Sequence, residues 1–148
     1  MSQITRITID SKCDFKGDLY QSYDYTAIVG DRRVAAGNVL VTPARDMSYG
    51  VSELIRKQIV GADDLVASLD ITPDRGYKLL YEEAWETMLR EMMKHGLREN
   101  VMLFVTNPGQ HTPGAKEFYL AHRFVVREDR TAEGNGWDMY LSVRQLTR

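Results

Sequence analysis

The chain has 148 residues, with 43% hydrophobic and 27% charged residues, a net charge of −2 and a pI of about 5.9. That length can bury a real core, and a chain this apolar is globular and not disordered. The near-neutral balance argues against a general nucleic-acid or anionic-membrane binder, which needs a basic excess. A single cysteine, Cys13, excludes an internal disulfide, and three scattered histidines (His95, His111, His122) argue against structural zinc.

The opening stretch MSQITRITID alternates polar and apolar residues and lacks the apolar core of a signal peptide. Ile4 to Ile9 therefore predicts a half-buried strand. Residues 10–22, with Asp10, Lys12 and Gly17, predict a loop or a short irregular helix. Tyr25–Val29 and Val34–Thr42 flank Gly30-Asp31-Arg32-Arg33 and predict a hairpin. Gly37 within its second strand points to a bulge or a close approach of backbone. Val51, Leu54, Ile55 and Ile59 fall at helical spacing, with Gly61 placed to end that helix.

Leu65–Ile71 predicts a strand closed by Thr72-Pro73. A long amphipathic helix follows, with Tyr81, Ala84, Trp85, Met88, Leu89, Met92 and Met93 on one face and Gly96 as its stop. VMLFV, residues 101–105, is a continuous apolar run and predicts a strand covered on both faces. Thr112 is placed to cap a further helix with Pro113 at its first position and Ala115, Phe118, Tyr119 and His122 on its inner face. Strands from Phe124 and over Trp137–Val143 close the chain around a Glu133–Gly136 turn. The order β, ββ, α, βαβα, ββ predicts one α/β (α+β) domain over residues 1–148. Its sheet is mixed, with a parallel central βαβ unit crossing over right-handedly.

No segment reaches the roughly 20 apolar residues of a membrane helix, so the expectation is a soluble cytoplasmic protein. The chemistry should lie at the carboxyl ends of the two central strands, Asp70-Ile71-Thr72 and Thr106-Asn107, where open parallel sheets bind ligands. After Asp70, the turn Thr-Pro-Asp-Arg-Gly leads into a helix, whose first N–H groups and positive dipole end suit phosphate. The same pattern also serves as plain strand-turn-helix punctuation.

Several residues in order resemble the GNAT superfamily of N-acetyltransferases. In that family an apolar-x-Pro strand end is followed by Arg-Gly-x-Gly-x-Gly/Ala and a long helix. A buried strand, an Asn, a helix with Ala-x-x-Phe-Tyr and a Gly-Phe then complete the pattern. This chain has Ile71-Thr72-Pro73, Arg75-Gly76-Tyr77-Lys78-Leu79-Leu80, VMLFV before Asn107, Ala115-Lys116-Glu117-Phe118-Tyr119, and Arg123-Phe124. The match spans residues 65–126. It departs from the pattern at Lys78, Leu80 and Arg123, which stand where the family has glycine or a small residue. It also lengthens the segment after Asn107 and lacks room for the two helices that usually separate the first two strands.

The resemblance implies a centrally splayed sheet with helices on both faces and acetyl-coenzyme A as cofactor. It implies direct acyl transfer to a primary amine on a small molecule or a protein lysine, without metal, and it allows a homodimer. Carried over residue by residue, Ile71, Arg75, Gly76, Tyr77, Lys78, Leu79 and Asn107 would bind the cofactor. Tyr119 would protonate the departing thiolate. Asp70, the carboxylate nearest the strand end, would serve as base, although a carboxylate there also suits the start of a helix. The alternative reading is a binding module that kept the fold, lost the cofactor and works through protein–protein contacts. His122, on the face of Tyr119, is a further candidate proton carrier or a hydrogen-bonded core histidine. His111, in the long loop, is a candidate substrate contact or simply solvated.

Overall fold

The computed structural model describes residues 7–16, 21–47, 51–73 and 82–146. Seven strands form one sheet in the order β1-β2-β3-β4-β5-β7-β6. They are β1 (Ile7–Lys16), β2 (Gln21–Val29), β3 (Arg32–Pro43), β4 (Leu65–Pro73), β5 (Leu103–Thr106), β6 (Val125–Asp129) and β7 (Trp137–Ser142). Among the described residues three α-helices join them: α1 (Val51–Arg56), α2 (Glu82–Arg98) and α3 (Ala115–Ala121). All strand pairs are antiparallel except β4 with β5. Among the described residues no helix is long and apolar enough to cross a membrane.

The helices lie on both faces of the sheet. On one face Ala84, Trp85, Met88, Leu89 and Met92 of α2 and Phe118 and Tyr119 of α3 bury against Ala27, Val39, Leu69 and Phe104. On the other, Val51 and Leu54 of α1 cover Val66, Leu103 and Val105. The strand β5 covers Leu103–Thr106 and not residues 101–105, and from Leu103 to Val105 alternate residues feed opposite cores, which is why the run has no polar side. Each large side chain fully buried in this way contributes about 1.5–3 kcal/mol.

Four other expectations are corrected. Residues 10–16 are neither loop nor helix: β1 runs to Lys16, shifts register between Cys13 and Phe15, and pairs with β2 from Gln21. Its charged residues misled because β1 is an edge strand, where charge is tolerated and blunts further pairing. The first helix ends at Arg56, short of Ile59. Gly96 does not stop α2: it lies buried within the helix, and a Cβ there would stand 2.6 Å from Cε1 of Phe104. The helix gives way at Asn100, which takes φ +64°, a conformation asparagine tolerates. Finally, Thr112 does not cap α3 with its side chain; the cap is Gly114 at φ +81°. Gly37 fits the close-approach reading and not the bulge, since its Cβ would lie 2.8 Å from Met88 Sδ while the β3–β4 register runs unbroken.

Candidate functional site

The parallel pair β4–β5 is in register only over Val66–Leu103, Ala67–Phe104 and Ser68–Val105. Beyond Ser68, β4 continues to Pro73 bound to β3 alone among the described strands, while β5 ends at Thr106. The carboxyl ends therefore part, and the β5-facing backbone of β4 from Leu69 onward is free of ladder pairing.

A cavity of about 100 Å³ fills this gap. A volume of that order suits a reacting group and not a whole cofactor. Asp70, Ile71 and Thr72 form one wall, Thr106 and Asn107 the other, Pro108, Gly109 and Thr112 the rim, and Ala115 and Tyr119 of α3 the end. Of the residues singled out in the sequence, Asp70, Ile71, Asn107 and Tyr119 thus meet in one place. Arg75, Gly76, Tyr77, Lys78 and Leu79 lie outside the described residues.

Tyr119 is 2% exposed, packed edge-on between Phe118 and Phe124 with ring centroids 5.4 and 5.3 Å away. Burial pushes its phenol well above the ordinary range, and the negative charge of Asp70 adds to the push; a hydrogen bond from the Thr106 side chain works the other way. The phenol is therefore held protonated at neutral pH. Asp70 is open to solvent as a residue, yet its carboxyl is raised too, through hydration lost against the cleft wall. Thr106 is itself 3% exposed. Sequence reasoning placed it at the strand end but gave it no role, because a threonine closing an apolar strand has no signal of its own.

Asn107 borders the cleft, but its amide nitrogen is engaged, 2.7 Å from Asp138 Oδ1 and 3.0 Å from the Asn135 carbonyl. Asp138, 1% exposed, is also 2.7 Å from Nη2 of Arg127, whose Nη1 reaches Glu53 of α1 at 2.6 Å. The rim is stapled to the β6–β7 turn as well. The Trp137 amide donates to the Pro108 carbonyl, the Gly136 amide to Gln110 Oε1, and Gln110 Nε2 to the Thr131 carbonyl. The lengthened segment after Asn107 is thus built into the structure by non-local bonds that sequence periodicity does not encode.

His122 does not reach the cleft. It stacks on Phe118 at 4.8 Å and borders a separate groove with Leu89, Met93 and Leu146. His111 is exposed and absent from the cleft walls. Among the described residues no three His, Cys, Asp or Glu side chains gather as a metal site.

No family model matches the chain, and no curated protein matches it in sequence. Solved structures do match in fold. The aminoglycoside N(6′)-acetyltransferase of Legionella pneumophila aligns at TM-score 0.54 with 13% identity, over 85% of this chain and 66% of that one. AAC(6′)-Ib, solved with paromomycin and acetyl-coenzyme A, aligns at TM-score 0.56 with 16% identity, over 86% and 68%. The NatC complex, bound to Gag peptide and coenzyme A, aligns at TM-score 0.57 with 12% identity, over 80% and 70%. The chain spans about two thirds of each neighbour's length. With the splayed parallel pair at its centre, the chain has the fold of the GNAT N-acetyltransferases.

Proposed function

We propose that the chain is an acetyl-coenzyme A-dependent N-acyltransferase that passes the acyl group directly to a primary amine in the gap between β4 and β5. One observation carries this reading: the gap opened by the parting strands has Asp70 on one wall and Tyr119 at its end. The neighbour solved with an aminoglycoside and acetyl-coenzyme A supports the class of cofactor and of acceptor. A small-molecule amine and a protein lysine are both acceptors of that class.

The steps follow from the placement. By the resemblance, Arg75, Gly76, Tyr77, Lys78 and Leu79 would take the cofactor's pyrophosphate, and Ile71 and Asn107 would hold the arm that carries the thioester. An unpaired amide on the β5-facing edge of β4 polarises the thioester carbonyl, a fixed dipole aimed where charge develops. Asp70 takes a proton from the acceptor's ammonium, and the neutral amine attacks the carbonyl carbon. The C–S bond breaks and the electron pair leaves on sulfur, to which Tyr119 donates its hydroxyl hydrogen. The products are an amide and the free thiol. A free thiol has a pKa of about 8.5, so transfer from a phenol raised mainly by burial is uphill. Protonation of Asp70 removes the smallest of the influences on the phenol and eases the transfer only in part.

The test is acetyl transfer to a panel of amines beside thermal melts with and without acetyl-coenzyme A. Ligand at 100 times its Kd should stabilise the fold by about 2.7 kcal/mol. Tyr119→Phe should lower turnover about 10²-fold or more and stability by at most one hydrogen bond, about 0.5–1.5 kcal/mol. An unmodified protein that ignores millimolar acetyl-coenzyme A would favour the binding-module reading, for which Lys78 and Leu80 in the phosphate turn speak.

A further inference from the structure

We propose that Asp138 is a positioning residue of the cleft: it locks the Asn107 side chain so that Asn107 meets a ligand only as a hydrogen-bond acceptor, and the group it takes is an amide N–H of the cofactor's pantetheine arm. This rests on the reading of the cleft as a coenzyme A slot.

The lock is a matter of hydrogen-bond types. A side-chain amide donates only from nitrogen and accepts only at oxygen. Asn107 Nδ2 faces two groups that only accept, the Asp138 carboxylate at 2.7 Å and the Asn135 carbonyl at 3.0 Å. Turning the amide over would set oxygen against two oxygens, so its orientation is forced. Asp138 cannot swing aside either. It is 1% exposed, and its other oxygen is 2.7 Å from Arg127, which is tied through Glu53 to α1. Asn107 Oδ1 accepts no hydrogen bond among the described residues, and Asn107 is one of the residues that line the cleft. Phosphates and the thioester bring only acceptors to such an atom. The pantetheine amides bring N–H donors, the nearer of them a short step from the sulfur.

Asp138→Asn tests this with little change of shape. The new side chain has one oxygen for two donors. Arg127, being charged, holds it. The new NH₂ then faces Asn107, whose amide turns over and offers hydrogens to the cleft. By calorimetric titration this variant should bind coenzyme A about tenfold more weakly or worse, because two donors then face each other. It should bind 3′-phosphoadenosine 5′-diphosphate, which has the pyrophosphate but no arm, as the unmodified protein does. Unchanged affinity for coenzyme A in Asp138→Asn, or equal loss for both ligands, overturns the proposal.

A second readout needs no ligand. The Asn107 side-chain amide hydrogens should exchange slowly by nuclear magnetic resonance and quickly in Asp138→Asn. Fast exchange in the unmodified protein also overturns the proposal. Slow exchange together with no coenzyme A binding leaves the lock standing and sinks the cofactor reading instead.

Discussion

Gly136→Ala is the sharpest test of how the cleft rim is held. Gly136 takes φ +66°, and a Cβ there would stand 2.2 Å from the Pro108 carbonyl oxygen and 3.2 Å from Gly109 Cα. Both are backbone atoms, so no rotamer change relieves the contact and the rim itself must move. An alanine in the left-handed region costs about 1–2 kcal/mol. Moving Pro108 endangers the Trp137-to-Pro108 bond and the Gly136-to-Gln110 bond, each worth about 0.5–1.5 kcal/mol. The sum is about 2–5 kcal/mol, and a domain of this size loses about 2–4 °C of melting temperature per kcal/mol, giving a fall of about 10 °C. Gly134 provides the control. It has φ +78° but nothing within 4 Å of its virtual Cβ, so Gly134→Ala carries the conformational term alone. The assay is a thermal melt of both variants, with coenzyme A titration of each. If Gly136→Ala melts no lower than Gly134→Ala, the packing of turn against rim is not what holds the cleft, and the reasoning fails.

Three further outcomes follow from the same geometry. Gly96→Ala gains helix propensity of about 1 kcal/mol, yet drives a methyl against the Phe104 ring; chemical denaturation should show a net loss of about 1–2 kcal/mol, and a stabilised variant would refute the contact. Arg127→Met keeps the bulk of a 9%-exposed side chain but leaves the buried Asp138 only Asn107 and the longer Arg130 contact at 3.6 Å, so the denaturation midpoint should reflect a loss of about 3 kcal/mol, beyond that of a surface pair. Burial, with Arg98 nearby, lowers the His95 pKa, the Tyr25 hydroxyl lying 2.7 Å from its Nδ1. The folded state therefore binds the proton less readily than the unfolded chain. Stability is fully present above about pH 6.5 and is lost as pH falls through the lowered value. His95→Gln should flatten that part of the stability–pH curve, and an unchanged slope would exclude His95 as its source.

What could be read from sequence was whatever chemistry is local. VMLFV declares a doubly covered strand because every residue in it must be buried, and the helical spacing from Ala84 to Met92 declares one buried face. The meeting of Asp70, Asn107 and Tyr119 followed from a parallel βαβ order, which leaves few topologies to choose from. What stayed hidden depends on partners distant in the chain. Gly96 reads as a stop until Phe104 is placed beside it. Asp138 and Arg127 carry no local signal; burial joins them to Glu53 and Asn107. The continuation of the first strand over residues 10–16 was hidden for the opposite reason: at a sheet edge, burial imposes no pattern, and charge is what such a strand is expected to carry.

Arg123 bears on the loop whose glycines are missing. It stands where the resembling family has glycine, yet it takes φ +77°, a conformation glycine adopts freely. The backbone turn between α3 and β6 is thus made without the residue that makes it easy. An arginine there costs about 1–2 kcal/mol. Its guanidinium donates to the Gln145 carbonyl, a bond of about 0.5–1.5 kcal/mol that offsets much of the cost. Losing a glycine is therefore not the same as losing the conformation it served. By the same physics, Lys78 and Leu80 do not by themselves remove a phosphate-binding turn on conformational grounds. They would do so only if a side chain occupied the space where phosphate must approach the backbone, and that is a question of contact, which a titration with 3′-phosphoadenosine 5′-diphosphate reads directly.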